Sequence, residues 1–115
     1  MSFINWFAER AEERVREAEE ELKALKEERR MTIKSRIECL KERTQFTRFA
    51  IDTLNGREFI DANTYNELNS QLDQVEKELS VEEQKLPENA NLDDVSEKLD
   101  DVSEKLDDVS EKLYL

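Results

Sequence analysis

Leu92-Asp93-Asp94-Val95-Ser96-Glu97-Lys98 recurs unchanged at 99–105 and again at 106–112, and Leu113 opens a fourth round. Leu92, Val95, Leu99, Val102, Leu106, Val109 and Leu113 therefore alternate in steps of three and four. A helix with that spacing hides one narrow seam against another helix. Beside the seam, Asp93, Asp94, Asp100, Asp101, Asp107 and Asp108 make a regular acidic face. The repeat predicts a chain that works by pairing helices.

Upstream, Tyr65, Leu68, Leu72, Val75, Leu79, Glu82 and Leu86 keep the same spacing. Thr64 followed by Glu67 has the pattern of a capping box, so this second helix is expected over 64–86, stopped by Pro87. Residues 87–91 read as a linker. Asn91 caps the tail helix, 92–115, and the helix dipole favours Asp93 and Asp94 in its first turn.

Nearer the N-terminus a longer line runs Ile4, Phe7, Ala11, Val15, Ala18, Leu22, Leu25, Arg29, Ile33, Ile37, Leu40, Thr44, Thr47, Ile51, Leu54. Its period lies between the coiled-coil 3.5 and the straight-helix 3.6. That predicts one amphipathic helix over 1–54, capped by Ser2 and about 78 Å long at 1.5 Å per residue. Asn55-Gly56 should end it, because glycine accepts the left-handed conformation of a helix terminus. The corner, 55–63, would be plugged by Phe59 and Ile60.

One Gly and one Pro among 115 residues leave too few turns for sheets. The fold class is therefore all-α and elongated: an antiparallel helical hairpin, or three-helix coiled coil, with a long first helix and a C-terminal heptad-repeat helix. A short corner folds the second helix back on 33–54, with Tyr65 near Leu54 and Leu86 near Ile33. Charge agrees with this pairing. Residues 29–48 hold Arg29, Arg30, Lys34, Arg36, Lys41, Arg43 and Arg48 against only Glu38 and Glu42, whereas 55–91 and 92–115 each hold nine acids and three bases.

The tail has three possible places: against another tail, against its own chain, or against a foreign protein. Self-pairing would set Lys against Ser or Lys across the seam, without the usual interhelical ion pairs. Docking on the first helix is the better reading, since Cys39, Phe46, Phe49 and Thr53 form a second stripe there that a third helix could cover. Asp, Ser and Val are mediocre helix formers, so an undocked tail would fray. The plainest alternative is a length-variable spacer without its own job, left by replication slippage or as an appended segment.

If the hairpin covers only 33–54, the overhang 3–28 projects alone. Phe3, Ile4, Trp6, Phe7, Val15, Leu22 and Leu25 then form a bare seam for oligomerisation or a partner, and a homodimer is the simplest cover. The aromatic cluster Phe3, Ile4, Trp6 and Phe7 suits a plug or a partner hot spot. A membrane-surface adaptor is the less favoured use, because Glu9, Glu12 and Glu13 follow at once and anionic lipid repels them. The basic stretch reads as internally neutralised, which disfavours direct nucleic-acid binding.

Catalytic equipment is not visible. The chain has no His, so neither a His-Glu-x-x-His zinc pair nor a Glu-x-x-His di-iron motif exists, and one Gly cannot build a phosphate-cradling loop. Cys39 has Arg36 and Arg43 at helical spacing, yet its place on the Phe46/Phe49 stripe suggests a buried structural thiol. No cofactor and no metal site is expected. One cysteine, no long apolar run and an N-terminus too short for a signal peptide suggest a cytoplasmic protein.

The functional expectation is a non-enzymatic coiled-coil protein that self-associates and binds a protein partner through helical faces, as an adaptor or a small inhibitor of a larger machine. The alternative is an acidic inhibitor whose Asp-rich rod mimics nucleic acid and fills the basic channel of a nucleic-acid-binding enzyme.

Overall fold

The computed structural model describes residues 2–86 and 91–114, with three helices and no strand among them. These are α1 (Phe3–Gly56), α2 (Ala62–Lys85) and α3 (Leu92–Tyr114). The chain divides into two compact units, Met1–Thr32 and Ile33–Leu115, and α1 belongs to both. The expected linker over 87–91 lies outside the described residues except for Asn91.

In the second unit the three seams meet in one core. Ile33, Ile37, Leu40 and Ile51 of α1, Leu68, Leu72, Val75, Leu79 and Leu86 of α2, and Val95, Leu99, Val102, Leu106 and Val109 of α3 are all buried. Tyr65, Leu92 and Leu113 pack on the edge. The α1 line includes Thr44 and Thr47, which are buried without loss because their Oγ1 atoms donate to Leu40 O at 2.7 Å and Arg43 O at 2.8 Å. Glu82 is the one carboxylate among the buried residues of α2.

Ion pairs report the directions. Arg48 reaches Asp73 and Glu76, and Lys41 pairs with Glu83, so α2 runs antiparallel to α1. Tyr65 Oη donates to Asp52 Oδ1 at 2.7 Å near the corner, as the hairpin register requires. Arg36 pairs with Asp100 and Arg43 with Asp107, so α3 runs parallel to α1. Lys98 and Lys105 both reach Glu78, and Lys112 reaches Glu67, so α3 is antiparallel to α2. Each largely exposed pair is worth about 0–1 kcal/mol. Each fully buried Leu or Val contributes about 1.5–3 kcal/mol, so the seam carries the stability and charge selects the register.

The tail docks within its own chain, but not where the second stripe suggested. Cys39, Phe46, Phe49 and Thr53 stay exposed, Phe46 at 73 % and Phe49 at 70 %. Instead α3 lies in the groove between α1 and α2. There one seam touches two others, Asp100 and Asp107 meet Arg36 and Arg43 of α1, and Lys98, Lys105 and Lys112 meet Glu78 and Glu67 of α2. A place on the back of α1 would bury one neighbour and satisfy only the aspartates. Cys39 is correspondingly a surface thiol and not a core one.

The corner also departs from expectation. Gly56 has no positive φ; the left-handed residue is Glu58, at φ 61°. Phe59 N donates to Leu54 O at 2.9 Å and Glu58 N to Asn55 O at 3.1 Å, the paired bonds of a Schellman terminus with Glu58 at its left-handed position. The chain thus turns two residues after its only glycine. Ile60 packs on the core as expected, whereas Phe59 is 70 % exposed. The α2 cap is Asp61, not Thr64: its Oδ1 accepts from Thr64 N at 2.7 Å. Asn91 caps α3 as expected, accepting from Asp93 N at 3.0 Å.

Candidate functional site

The first unit holds a single helical segment, and every described residue from Ser2 to Arg29 is exposed. Ile4, Phe7, Ala11, Val15, Ala18, Leu22 and Leu25 follow the helical period, so they share one face. That face is apolar and bare: Ile4 is 79 % exposed, Leu22 53 % and Leu25 62 %. Burying such a stripe is what stabilises an amphipathic helix, because isolated helices are marginal in water.

At the start of α1 the aromatics form a cluster. Phe3 and Phe7 meet edge to face with centroids 5.2 Å apart, and Trp6 and Phe7 at 5.1 Å. The Arg10 guanidinium carbon lies 5.3 Å from the Trp6 ring centroid, within cation–π range. Trp6, Phe7, Arg10, Ala11 and Arg14 line an open concavity of about 420 Å³. Ser2 caps this end, its Oγ accepting from Asn5 N at 3.3 Å.

In the second unit the other sequence-derived sites are occupied. The tail seam, Leu92 to Leu113, faces inward and offers no free ridge. Of the acidic face, Asp100 and Asp107 are paired with Arg36 and Arg43, while Asp94, Asp101 and Asp108 point outward. The basic stretch is largely consumed by the same pairs and by Lys41 and Arg48. Desolvation works against the charged form of Arg48, but its hydrogen bonds to Glu76 and Asp73 outweigh it and hold its pKa above the ordinary value. The bond to Glu83 raises Lys41 in the same way.

Glu78 is the electrostatic centre of the α2–α3 contact. Its side chain is 12 % exposed and accepts from Lys105 at 2.6 Å and Lys98 at 3.4 Å. Partial burial pushes its carboxyl pKa up, but the bonds from Lys105 and Gln74 and the two lysine charges prevail, and the pKa lies below the ordinary value.

The stripe on the back of α1, expected to be covered by the tail, is a bare surface, with Phe46 and Phe49 exposed. Their helical spacing signalled a stripe, but the pattern alone does not distinguish a covered stripe from a bare one. Among the described residues no cluster of acidic or thiol side chains has the geometry of a metal site. None of the described helices is long and apolar enough to cross a membrane.

No protein-family model, no curated protein and no solved structure matches this chain. The class is that of an all-α protein whose second unit is an up-down-up three-helix bundle.

Proposed function

We propose that this is a non-enzymatic helical protein that self-associates and binds a protein partner through its helical faces, as an adaptor or a small inhibitor of a larger machine. The observation that carries the reading is the contrast between the two units. Every full heptad layer of the second unit is covered by its own chain, whereas the equivalent α1 positions of the first unit, from Ile4 to Leu25, are bare. Apolar stripes of that length are characteristic of interaction surfaces.

The nucleic-acid-mimic alternative draws less support. Asp100 and Asp107 of its acidic ladder are engaged with arginines of the same chain, which lowers the linear charge density that a phosphate mimic needs.

Light-scattering mass of the full chain and of Leu22→Asp/Leu25→Asp tests the reading. The parent chain should be an oligomer and the variant a monomer, with the second unit still folded by circular dichroism. A monomeric parent chain would overturn self-association. A variant that keeps the parent's mass would move the interface elsewhere.

A further inference from the structure

The tail repeats residue for residue, and its contacts in the second unit repeat with it. Residues 92–106 and 99–113 have the same sequence. Arg36 and Arg43, seven apart on α1, hold Asp100 and Asp107, seven apart on α3. We propose that the groove between α1 and α2 accepts α3 in a second register, displaced by one heptad toward the corner at 57–61.

The displaced register rebuilds the native contacts from the preceding heptad. Asp93 takes the place of Asp100 beside Arg36, and Asp100 that of Asp107 beside Arg43. Lys98 takes the place of Lys105, whose Nζ lies 2.6 Å from Glu78, and Lys105 that of Lys112 beside Glu67. Leu92, Val95, Leu99 and Val102 fill the places of Leu99, Val102, Leu106 and Val109, all of them buried. A step of seven keeps the seam facing inward, whereas a step of one or two turns it away by about 100–200°. The move is about 10.5 Å at about 1.5 Å per residue. Six peptide steps join Leu86 to Leu92 and reach about 20 Å when extended, so the tether permits it.

The opposite displacement is not equivalent. It would set Tyr114 where Asp107 stands beside Arg43, take the lysine away from Glu67, and leave the places of Val109 and Leu113 empty. Toward the corner, the losses are confined to the start of the tail. The first heptad leaves the end of the groove that holds Ile33 and Leu86, each now 5 % exposed. Asp93 gives up its present interaction, and Glu78 keeps one lysine instead of two. In partial return, the offset between α1 and α3 falls from 64 to 57, which brings Val109 and Leu113 level with Asp52 and Gly56, toward the half-buried Ile60 and Tyr65. The native register is therefore the major one, and the second bares an apolar surface at Ile33 and Leu86.

The test uses the full chain with Cys39→Ser, which removes the exposed native thiol. Pairs of cysteines are introduced and joined by a bis-maleimide that spans one helix spacing of about 8–10 Å. Arg36→Cys/Asp100→Cys reports the native register. Arg36→Cys/Asp93→Cys and Arg43→Cys/Asp100→Cys come together in the displaced register, and Arg36→Cys/Asp107→Cys in the opposite one. A minor state populated at about 0.1–10 % predicts that both displaced pairs link within one chain about 10–1,000-fold more slowly than the native pair. Both should link at similar rates and faster than the opposite pair. Unless both outpace the opposite pair, the proposal fails; linking of Arg36→Cys/Asp93→Cys alone would mark fraying of the tail's start in place of a concerted shift.

Discussion

Arg36 donates from Nη2 to Asp100 Oδ1 at 2.5 Å, and one heptad further on Arg43 repeats the bond to Asp107. The two pairs share a separation of 64 positions in the chain, so the tail follows α1 in parallel and in step. A repeat of seven in α3 meets arginines spaced by seven on α1. The tail can hold this alignment only while its seam stays in phase.

Phase, and not length, should therefore govern the effect of deletions. Removing residues 99–105 takes out one Leu and one Val layer and keeps the rest aligned. The bundle should still unfold cooperatively in urea, with a loss of about 3–5 kcal/mol. Removing only Leu99 and Asp100 turns everything downstream by about 200° at about 100° per residue, exposing the remaining seam. The smaller deletion should destabilise more. The opposite order would disprove a phase-locked tail.

The misplaced glycine offers a gain in stability. Glu58 occupies the left-handed position that glycine tolerates best, while Gly56 has no positive φ and open space where a Cβ would stand. Glu58→Gly should stabilise the chain by about 1 kcal/mol, and Gly56→Ala by about 0.5–1 kcal/mol. Chemical denaturation of each variant checks this, and a loss of stability in both would contradict the assigned terminus.

Glu82 is buried in the seam, and Lys85 pairs with it at 3.4 Å from a largely exposed position. Replacing this carboxylate by Leu removes a desolvated charge and extends the apolar line between Leu79 and Leu86. Glu82→Leu should gain about 1–2 kcal/mol, measured by the urea midpoint at constant slope. A clear loss would show that the carboxylate is better satisfied than its surroundings indicate.

Glu78 predicts an acid limit for tail docking. Its folded pKa is depressed below the ordinary 4.5: desolvation raises it, but Lys105, Gln74 and Lys98 outweigh that effect. A depressed carboxyl contributes its full stability above the unfolded value and loses it as pH falls through the folded value. Asp61 at the α2 cap shifts in the same direction, held by the Thr64 backbone N–H. Stability should fall with acidification below about pH 4.5, and Glu78→Gln should flatten part of that slope. An unchanged pH profile in the variant would remove Glu78 from this role.

Much of the architecture was legible from residue spacing, because a seam of Leu and Val every three or four positions is a direct consequence of helical pitch. The α2 line from Leu68 to Leu86 and the tail line from Val95 to Val109 were both readable this way, as was the bare line from Ile4 to Leu25. The caps were less so. The Thr64/Glu67 spacing pointed to Thr64, and only backbone geometry shows that the Asp61 carboxylate caps α2 by accepting from the Thr64 N–H. Glu58 carried no signal, since a left-handed glutamate is forced by the bonds that close the turn and not by its own preference.

Period and polarity along one stretch of sequence are local properties, and they sufficed for three helices, their buried lines and the opposed charges of α1 and α2. Placement is not local. Whether α3 covers Phe46 and Phe49 or enters the α1–α2 groove depends on which arrangement buries more of two seams at once while meeting Arg36 on one flank and Glu78 on the other. That comparison involves surfaces far apart in the chain, and only their packing together decides it.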